Sequence, residues 1–217
     1  MIDLFLNLDK HLHDVILHYG PWTYGILFLV IFCETGLVIT PFLPGDSLLF
    51  AAGMFANPEK GAFNVFLLVG LLAAASVLGD NTNFWIGRAL GRRLFSKEDS
   101  RFFKRSYLVK TREFYDRHGT KTVIIGRFVP IVRTFAPFVA GMDAMEYDRF
   151  LPASLIGALT WVGLCTASGY FFGRIPWVQQ NFSIAIMGVI ALSLVGIFVE
   201  FVRSHRRKRA ERAKSES

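Results

Sequence analysis

Five charged residues stand inside otherwise apolar stretches of this sequence: Glu34, Asp46, Asp80, Arg127 and Arg133. A charge at membrane depth costs about 2.5–3.5 kcal/mol on insertion scales, so such groups usually face a cavity or a partner. A guanidinium presents a planar fork of N–H donors that fits phosphate oxygens, and it stays charged at any relevant pH. A carboxylate caught between burial and a nearby arginine is a group that can take up a proton. Arg127 and Arg133 are therefore candidate phosphate-binding residues. Glu34 and Asp46 are candidates for proton coupling or charge pairing. Two acids meeting two arginines would form a nearly neutral, hydrated site. The same charges could instead do nothing but hold two halves of a protein together, and the residues alone leave both explanations standing. Asp80, in GDNTNFW, lies near the end of its apolar run, where interfacial solvation explains it as well as function does.

The elements that must position these groups are apolar helices. Of 217 residues 53% are hydrophobic, and mean hydropathy is +0.40; soluble domains are nearer 45–50% apolar and lack long apolar runs. Such runs recur here at Trp22–Thr40, Phe63–Ile86, Leu151–Phe172 and Phe182–Val202, each near the ~20 residues needed to span a bilayer. The net charge of +7 is unevenly spread. Arg88–Lys121 holds eleven Lys/Arg against four Asp/Glu, and the tail RSHRRKRAERAK holds seven against one. Basic residues flanking apolar spans follow the positive-inside pattern rather than that of a nucleic-acid binder. Cys33 and Cys165 lie in apolar spans, without disulfide or metal spacing. The first twenty residues lack a basic n-region and a cleavage site, and they read as an amphipathic interfacial helix rather than a signal peptide.

With the basic tail and the basic block inside, the four runs become four spans and the N-terminus is also inside. Two apolar segments then begin and end on one side: Pro41–Ala56 outside and Thr120–Met142 inside. Both carry residues that shape a hairpin: Pro41, Pro44, Gly45 and Gly53 in the first, and Pro130, Pro137 and Gly141 in the second. Prolines remove backbone donors. Broken backbone survives in a membrane only where protein or a cavity satisfies it. Two opposed re-entrant helical hairpins are expected. Residues six apart on a regular helix point about 120° apart, and Pro130 makes it easier for both arginines to face inward.

The broken segments also resemble each other. TPFLPGDSLLFAAGM and VPIVRTFAPFVAGM both start at a proline and end in Ala-Gly-Met, and NFWIGR is matched downstream by GYFFGR. Gly53 and Gly141 are 88 residues apart, Gly87 and Gly173 are 86. Chance similarity of apolar helices is the competing explanation. A true repeat would have halves of opposite orientation, as in transporters built from inverted repeats with broken helices at a central site. Gly157, Gly163, Gly169 and Gly173 read as close-packing positions. Lys110–His118 reads as an interfacial amphipathic helix with His118 on the surface.

ETGLVITPFLPGDSLLFAAG (Glu34–Gly53) and GRFVPIVRTFAPFVAGM (Gly126–Met142) resemble the two signature stretches of the bacterial DedA family, within the wider VTT/SNARE-associated membrane proteins. The resemblance covers Glu34 to Arg174. It implies a multi-pass inner-membrane protein that translocates lipid, with recycled undecaprenyl phosphate as the leading substrate. It also implies that Glu34, Asp46, Arg127 and Arg133 are required, and that activity is linked to the proton gradient.

The expected architecture is an all-α integral membrane protein. It comprises an interfacial helix over 1–20 and one membrane domain over 21–202. Within that domain lie repeat one (about 21–88), a basic connection (about 88–119), repeat two (about 120–174) and a final span (182–202). A basic cytoplasmic tail covers 203–217. The expected partners are a membrane lipid, either a polyprenyl phosphate or a phospholipid, and protons. No cofactor, metal or nucleic acid is expected, and the oligomeric state is open between a monomer and a homo-oligomer. A proton-coupled ion or solute antiporter would use the same acids, but two arginines suit an anion better than a cation. A scaffold without transport is the third alternative. A lipid phosphatase would want a nucleophile and a general acid–base. The histidines (His11, His13, His18, His118 and His205) all lie outside the broken segments, so no enzyme activity is expected.

Overall fold

The computed structural model describes residues 20–37, 45–56, 63–95, 105–180 and 188, and all regular structure among them is helical. Pro41, Pro44, the N-terminal interfacial helix, the final span and the basic tail fall outside the described residues. The described residues form eight α-helices: α1 (Trp22–Gly36), α2 (Gly45–Phe55), α3 (Val65–Phe95), α4 (Arg105–His118), α5 (Lys121–Ile125), α6 (Pro130–Val139), α7 (Tyr147–Phe172) and α8 (Pro176–Gln180).

Two helices form the frame. Val65–Gly91 of α3 and all of α7 are long and apolar enough to cross a membrane; at ~1.5 Å per residue each exceeds the ~30 Å hydrocarbon thickness. α3 starts where Asn64 caps it, its Oδ1 accepting the Phe66 and Leu67 N–H groups at 3.0 and 3.1 Å. It then runs without a proline. Its buried residues Leu68, Leu72, Ser76, Asp80, Asn83 and Phe84 recur at helical spacing. Phe66, Leu78 and Trp85 point outward. α7 buries Ser154, Ala158, Trp161 and Val162 on one face and exposes Leu155, Ile156, Leu159 and Leu164 on the other. Outward apolar faces on both helices suit a lipid solvent rather than water.

The shorter helices pack on this frame. α1 lies along α3, with Gly36 against the Gly79 backbone. α2 lies on α7, and α6 lies on α3. Where the chain approaches Arg133, α5 runs into a 3-10 turn at Gly126–Phe128 and the helix then breaks. Val129 is extended (φ −113°, ψ 107°), because the ring of Pro130 disfavours helical backbone in the residue before it. Pro130 starts α6 at a position where a missing N–H costs nothing. Pro137 behaves differently. It sits inside α6 without breaking it, and the helix widens into a π-helical segment over Ala140–Ala144, where Met145 N–H reaches the Ala140 carbonyl at 3.2 Å. Of the prolines expected to shape this segment, Pro130 sets the break and Pro137 does not.

Besides Gly36 and Gly79, four glycines let backbones touch. A side chain at Gly53 would overlap the Thr166 carbonyl, and one at Gly169 the Phe50 carbonyl, which joins α2 to α7. A side chain at Gly141 would overlap the Phe84 carbonyl, and one at Gly87 the Phe138 carbonyl, which joins the α6 segment to α3. The two contacts are built alike. The glycine that plays the part of Gly87 is Gly169, one helical turn before the Gly173 suggested by GYFFGR. Gly157 and Gly173 are also close-packed, but Gly163 has nothing within 4 Å among the described residues and is not a packing position. His118 is exposed on α4, its ring stacked on Phe114, as expected.

Candidate functional site

The five intramembrane charges form two clusters rather than one. Arg133, in the first turns of α6, reaches both candidate acids. Its Nη1 donates to Asp46 Oδ1 at 2.7 Å, and its Nη2 is paired with Glu34 Oε1. Glu34 comes from the last turn of α1 and Asp46 from the first turn of α2, so three elements meet at one guanidinium. The other Glu34 oxygen lies against Gly45, where any side chain would overlap it. Trp161 of α7 completes the cluster. Its indole N–H donates to Asp46 Oδ1 at 2.7 Å, and its ring lies under Arg133 with 4.8 Å from Cζ to the centroid. A planar fork that pairs with two carboxylates while lying flat on an aromatic ring is a property that lysine in this place would lack.

Arg127 lies elsewhere. It points from the 3-10 turn to Asp80 on α3, and both residues are 4% exposed. Its Nη1 donates to Ser76 Oγ at 2.7 Å, and Ser154 Oγ donates to Asp80 Oδ2 at 2.6 Å. Cβ of an alanine in place of Gly157 would come within 2.8 Å of Arg127 Nε. The sequence expectation that Arg127 would share the acids of Arg133 is therefore corrected. The break at Val129 turns the chain between the two arginines and sends them to different partners. Asp80 is not an interfacial group. It is a buried counter-ion, and buried charges are found paired and hydrogen-bonded.

Asn83 ties the Arg133 cluster together. Its Nδ2 donates to the Thr35 carbonyl at 3.2 Å and to the Thr134 carbonyl at 2.9 Å. Thr35 follows Glu34 and Thr134 follows Arg133, so one amide fixes the backbones on both sides of the ion pair. The sequence reading passed over Ser76, Asn83, Ser154 and Trp161 as site residues. A signal was present: Ser76, Asp80 and Asn83 are spaced four and three apart on α3, and Ser154, Gly157 and Trp161 three and four apart on α7. Polar or small residues at that spacing share one face of an otherwise apolar helix.

α7 orders these features along one axis. Ser154 and Gly157 meet the Arg127 pair, and Trp161 meets the Arg133 cluster. Beyond it a cavity of about 650 Å³ is lined by Asp46, Phe50, Leu164, Cys165, Phe172 and Trp177. The lining is apolar apart from Asp46, Ser168 and the Cys165 thiol, and the cavity reaches the edge of the ion cluster. Cys33 and Cys165 are free thiols, consistent with their apolar surroundings.

Comparison with known proteins identifies the family. The VTT domain family matches residues 43–171. The chain is 53% identical to Protein DedA of Escherichia coli K12 over 214 residues, which are 99% of this chain and 97% of that one. It is 41% identical over 185 residues to an uncharacterized membrane protein of Mycobacterium tuberculosis H37Rv, covering 85% and 81% of the two chains. It is 32% identical over 173 residues to the inner membrane protein YghB of E. coli K12, covering 80% and 75%. No solved structure matches. These relatives support a bacterial inner-membrane location. The matched region contains Asp46, Asp80, Arg127, Arg133 and Trp161, the core of both charge clusters, and the chain belongs to the DedA family of VTT-domain membrane proteins.

Proposed function

We propose that the protein is a membrane lipid transporter that moves a phosphate-headed lipid between leaflets and is driven by the proton gradient. Undecaprenyl phosphate is the leading candidate, because its single phosphate matches one guanidinium fork and its tail can stay in lipid. The observation that carries this proposal is the Arg133 cluster. A largely buried arginine is paired with two acids from two other elements, at the edge of a large and mainly apolar cavity.

Arg133 is the phosphate ligand in this scheme. Protonation of Glu34 or Asp46 weakens its hold on the guanidinium and frees donors for the phosphate. Release of the proton on the other side restores the ion pairs and expels the lipid. Arg127, sealed against Asp80, Ser76 and Ser154, holds α3, α7 and the broken segment in place. Four spans, two re-entrant hairpins in inverted halves, and both termini in the cytoplasm complete the scheme. The like-built glycine contacts of α2 with α7 and of α6 with α3 support the inverted halves. The scheme involves transport and no covalent chemistry.

The test is translocation of a labelled polyprenyl phosphate in liposomes carrying the purified protein and an imposed proton gradient. Arg133→Ala is expected to abolish it. Unchanged translocation in that variant refutes the role given to Arg133. Movement of small cations without lipid phosphate would instead favour the antiporter alternative.

A further inference from the structure

A second cavity, of about 510 Å³, lies at the other end of α7 from the apolar one. Arg88 at the end of α3, Arg112 and Tyr115 of α4, and Arg149 of α7 line it, with Asp116 and Glu146 beside them. Along α7 the order is Arg149, then the Arg127 pair at Ser154, then the Arg133 cluster at Trp161. The separation of Arg149 from Trp161 is about 18 Å at ~1.5 Å per residue.

The arginines here are differently held from those inside. Arg112 is 3.7 Å from Asp116 and Arg149 is 3.8 Å from Glu146, and both pairs are neighbours on their own helices with more than half of each side chain exposed. Exposed pairs of this kind are weak and easily exchanged. Arg88 lies on the Trp85 ring, 5.6 Å from Cζ to the centroid, which leaves its N–H edge available. Tyr115 is buried at the base of the cavity, and its hydroxyl donates to the Ala136 carbonyl at 2.9 Å, so it forms a rigid floor. Three guanidiniums around a concave pocket outnumber two loosely held carboxylates. A compact dianion that accepts paired N–H donors from two arginines is the ligand this geometry favours.

We infer that this cavity is a second anion site, for a dianionic phosphate group, at the face opposite the apolar cavity. Its meaning as the station where a translocated headgroup arrives or departs rests on the transport proposal; its chemistry does not. The same phosphate chemistry could come from a lipid headgroup or from free inorganic phosphate.

Arginine modification by phenylglyoxal, mapped by mass spectrometry on the full-length protein in neutral detergent, tests it. The probes are inorganic phosphate, a short-chain prenyl monophosphate and the matching prenyl alcohol. At a probe concentration about ten times its Kd, modification of Arg112 and Arg149 is expected to slow about tenfold. Arg174, which donates to Tyr170 beyond the other end of α7, is expected to react unchanged. Arg149→Gln is expected to remove the protection of Arg112. Protection by both phosphates identifies a site for the phosphate group alone, and protection by the prenyl phosphate only identifies a lipid headgroup site. Equal rates with and without either phosphate, or equal protection by the alcohol, overturns the inference. Translocation without protection would leave the transport proposal standing and remove this one. Protection without translocation by the wild-type protein would do the reverse.

Discussion

The separation of the five charges into two clusters has a measurable consequence at Asp80 and Arg127. Both side chains are almost completely buried, and each is the other's direct ion-pair partner among the described residues. Arg127→Gln leaves the Asp80 carboxylate in a low-dielectric site with only Ser154 to donate to it. Asp80→Asn leaves a guanidinium with hydroxyl and carbonyl partners. Removing one member of a buried pair costs about 3–5 kcal/mol, which for a chain of this size lowers Tm by roughly 10 °C. The double variant strands no charge. Its loss is expected to fall below the sum of the single losses by about 2–3 kcal/mol, the coupling found for residues in one network. Thermal unfolding of the four proteins in the same neutral detergent closes the cycle. The Arg133/Asp46 cycle is expected to give a smaller coupling, about 1 kcal/mol, because a third of the Asp46 side chain is exposed and water screens the pair. A coupling below about 0.5 kcal/mol between Arg127 and Asp80, or a larger one between Arg127 and Asp46, would refute the pairing.

Trp161→Phe keeps a ring beneath Arg133 but loses the indole donor to Asp46; a hydrogen bond to a charged group is worth about 1.5–3 kcal/mol, so unfolding should shift by that order and translocation should slow. Asn83→Leu removes the amide that the Thr35 and Thr134 carbonyls share and is expected to cost about 1–3 kcal/mol; Tm and translocation should fall together, since the backbone beside Glu34 and beside Arg133 loses its tie. Gly53→Val and Gly141→Val each push a side chain into a backbone carbonyl and should destabilise by about 2–3 kcal/mol or prevent membrane assembly. Gly163→Val should stay within about 1 kcal/mol in the same assay, and equal losses at all three positions would remove the special status of the first two.

Much of the fold was legible in the sequence because a bilayer imposes simple rules. The apolar runs beginning at Trp22, Phe63 and Leu151 are α1, α3 and α7 to within a few residues, except that α3 continues past Ile86 to Phe95; in lipid only a helix satisfies its backbone hydrogen bonds within one segment. The break before Pro130 was legible because proline acts on its immediate neighbour. Pro137 misled for the opposite reason. One missing N–H within a helix can be tolerated when surrounding protein holds the segment, here with Tyr115 on the Ala136 carbonyl and Gly141 against α3. The match of NFWIGR to GYFFGR was a turn out of register with the contacts, because similar apolar strings can slide by a turn and keep the same face.

The sequence by itself determined that Glu34, Asp46, Arg127 and Arg133 must face a partner or a cavity, because an unpaired charge in hydrocarbon is too costly to persist; Asp80 it left equally explained by interfacial solvation. It did not determine which partners. Pairing depends on directions set by several elements at once: the extended residue at Val129, the turn of α7 that aims Trp161 at Asp46, and the Gly36–Gly79 contact that draws α1 against α3. Only the tertiary structure decided that Arg133 takes both Glu34 and Asp46, that Arg127 takes Asp80, and that an apolar cavity reaches the first cluster while the second is sealed.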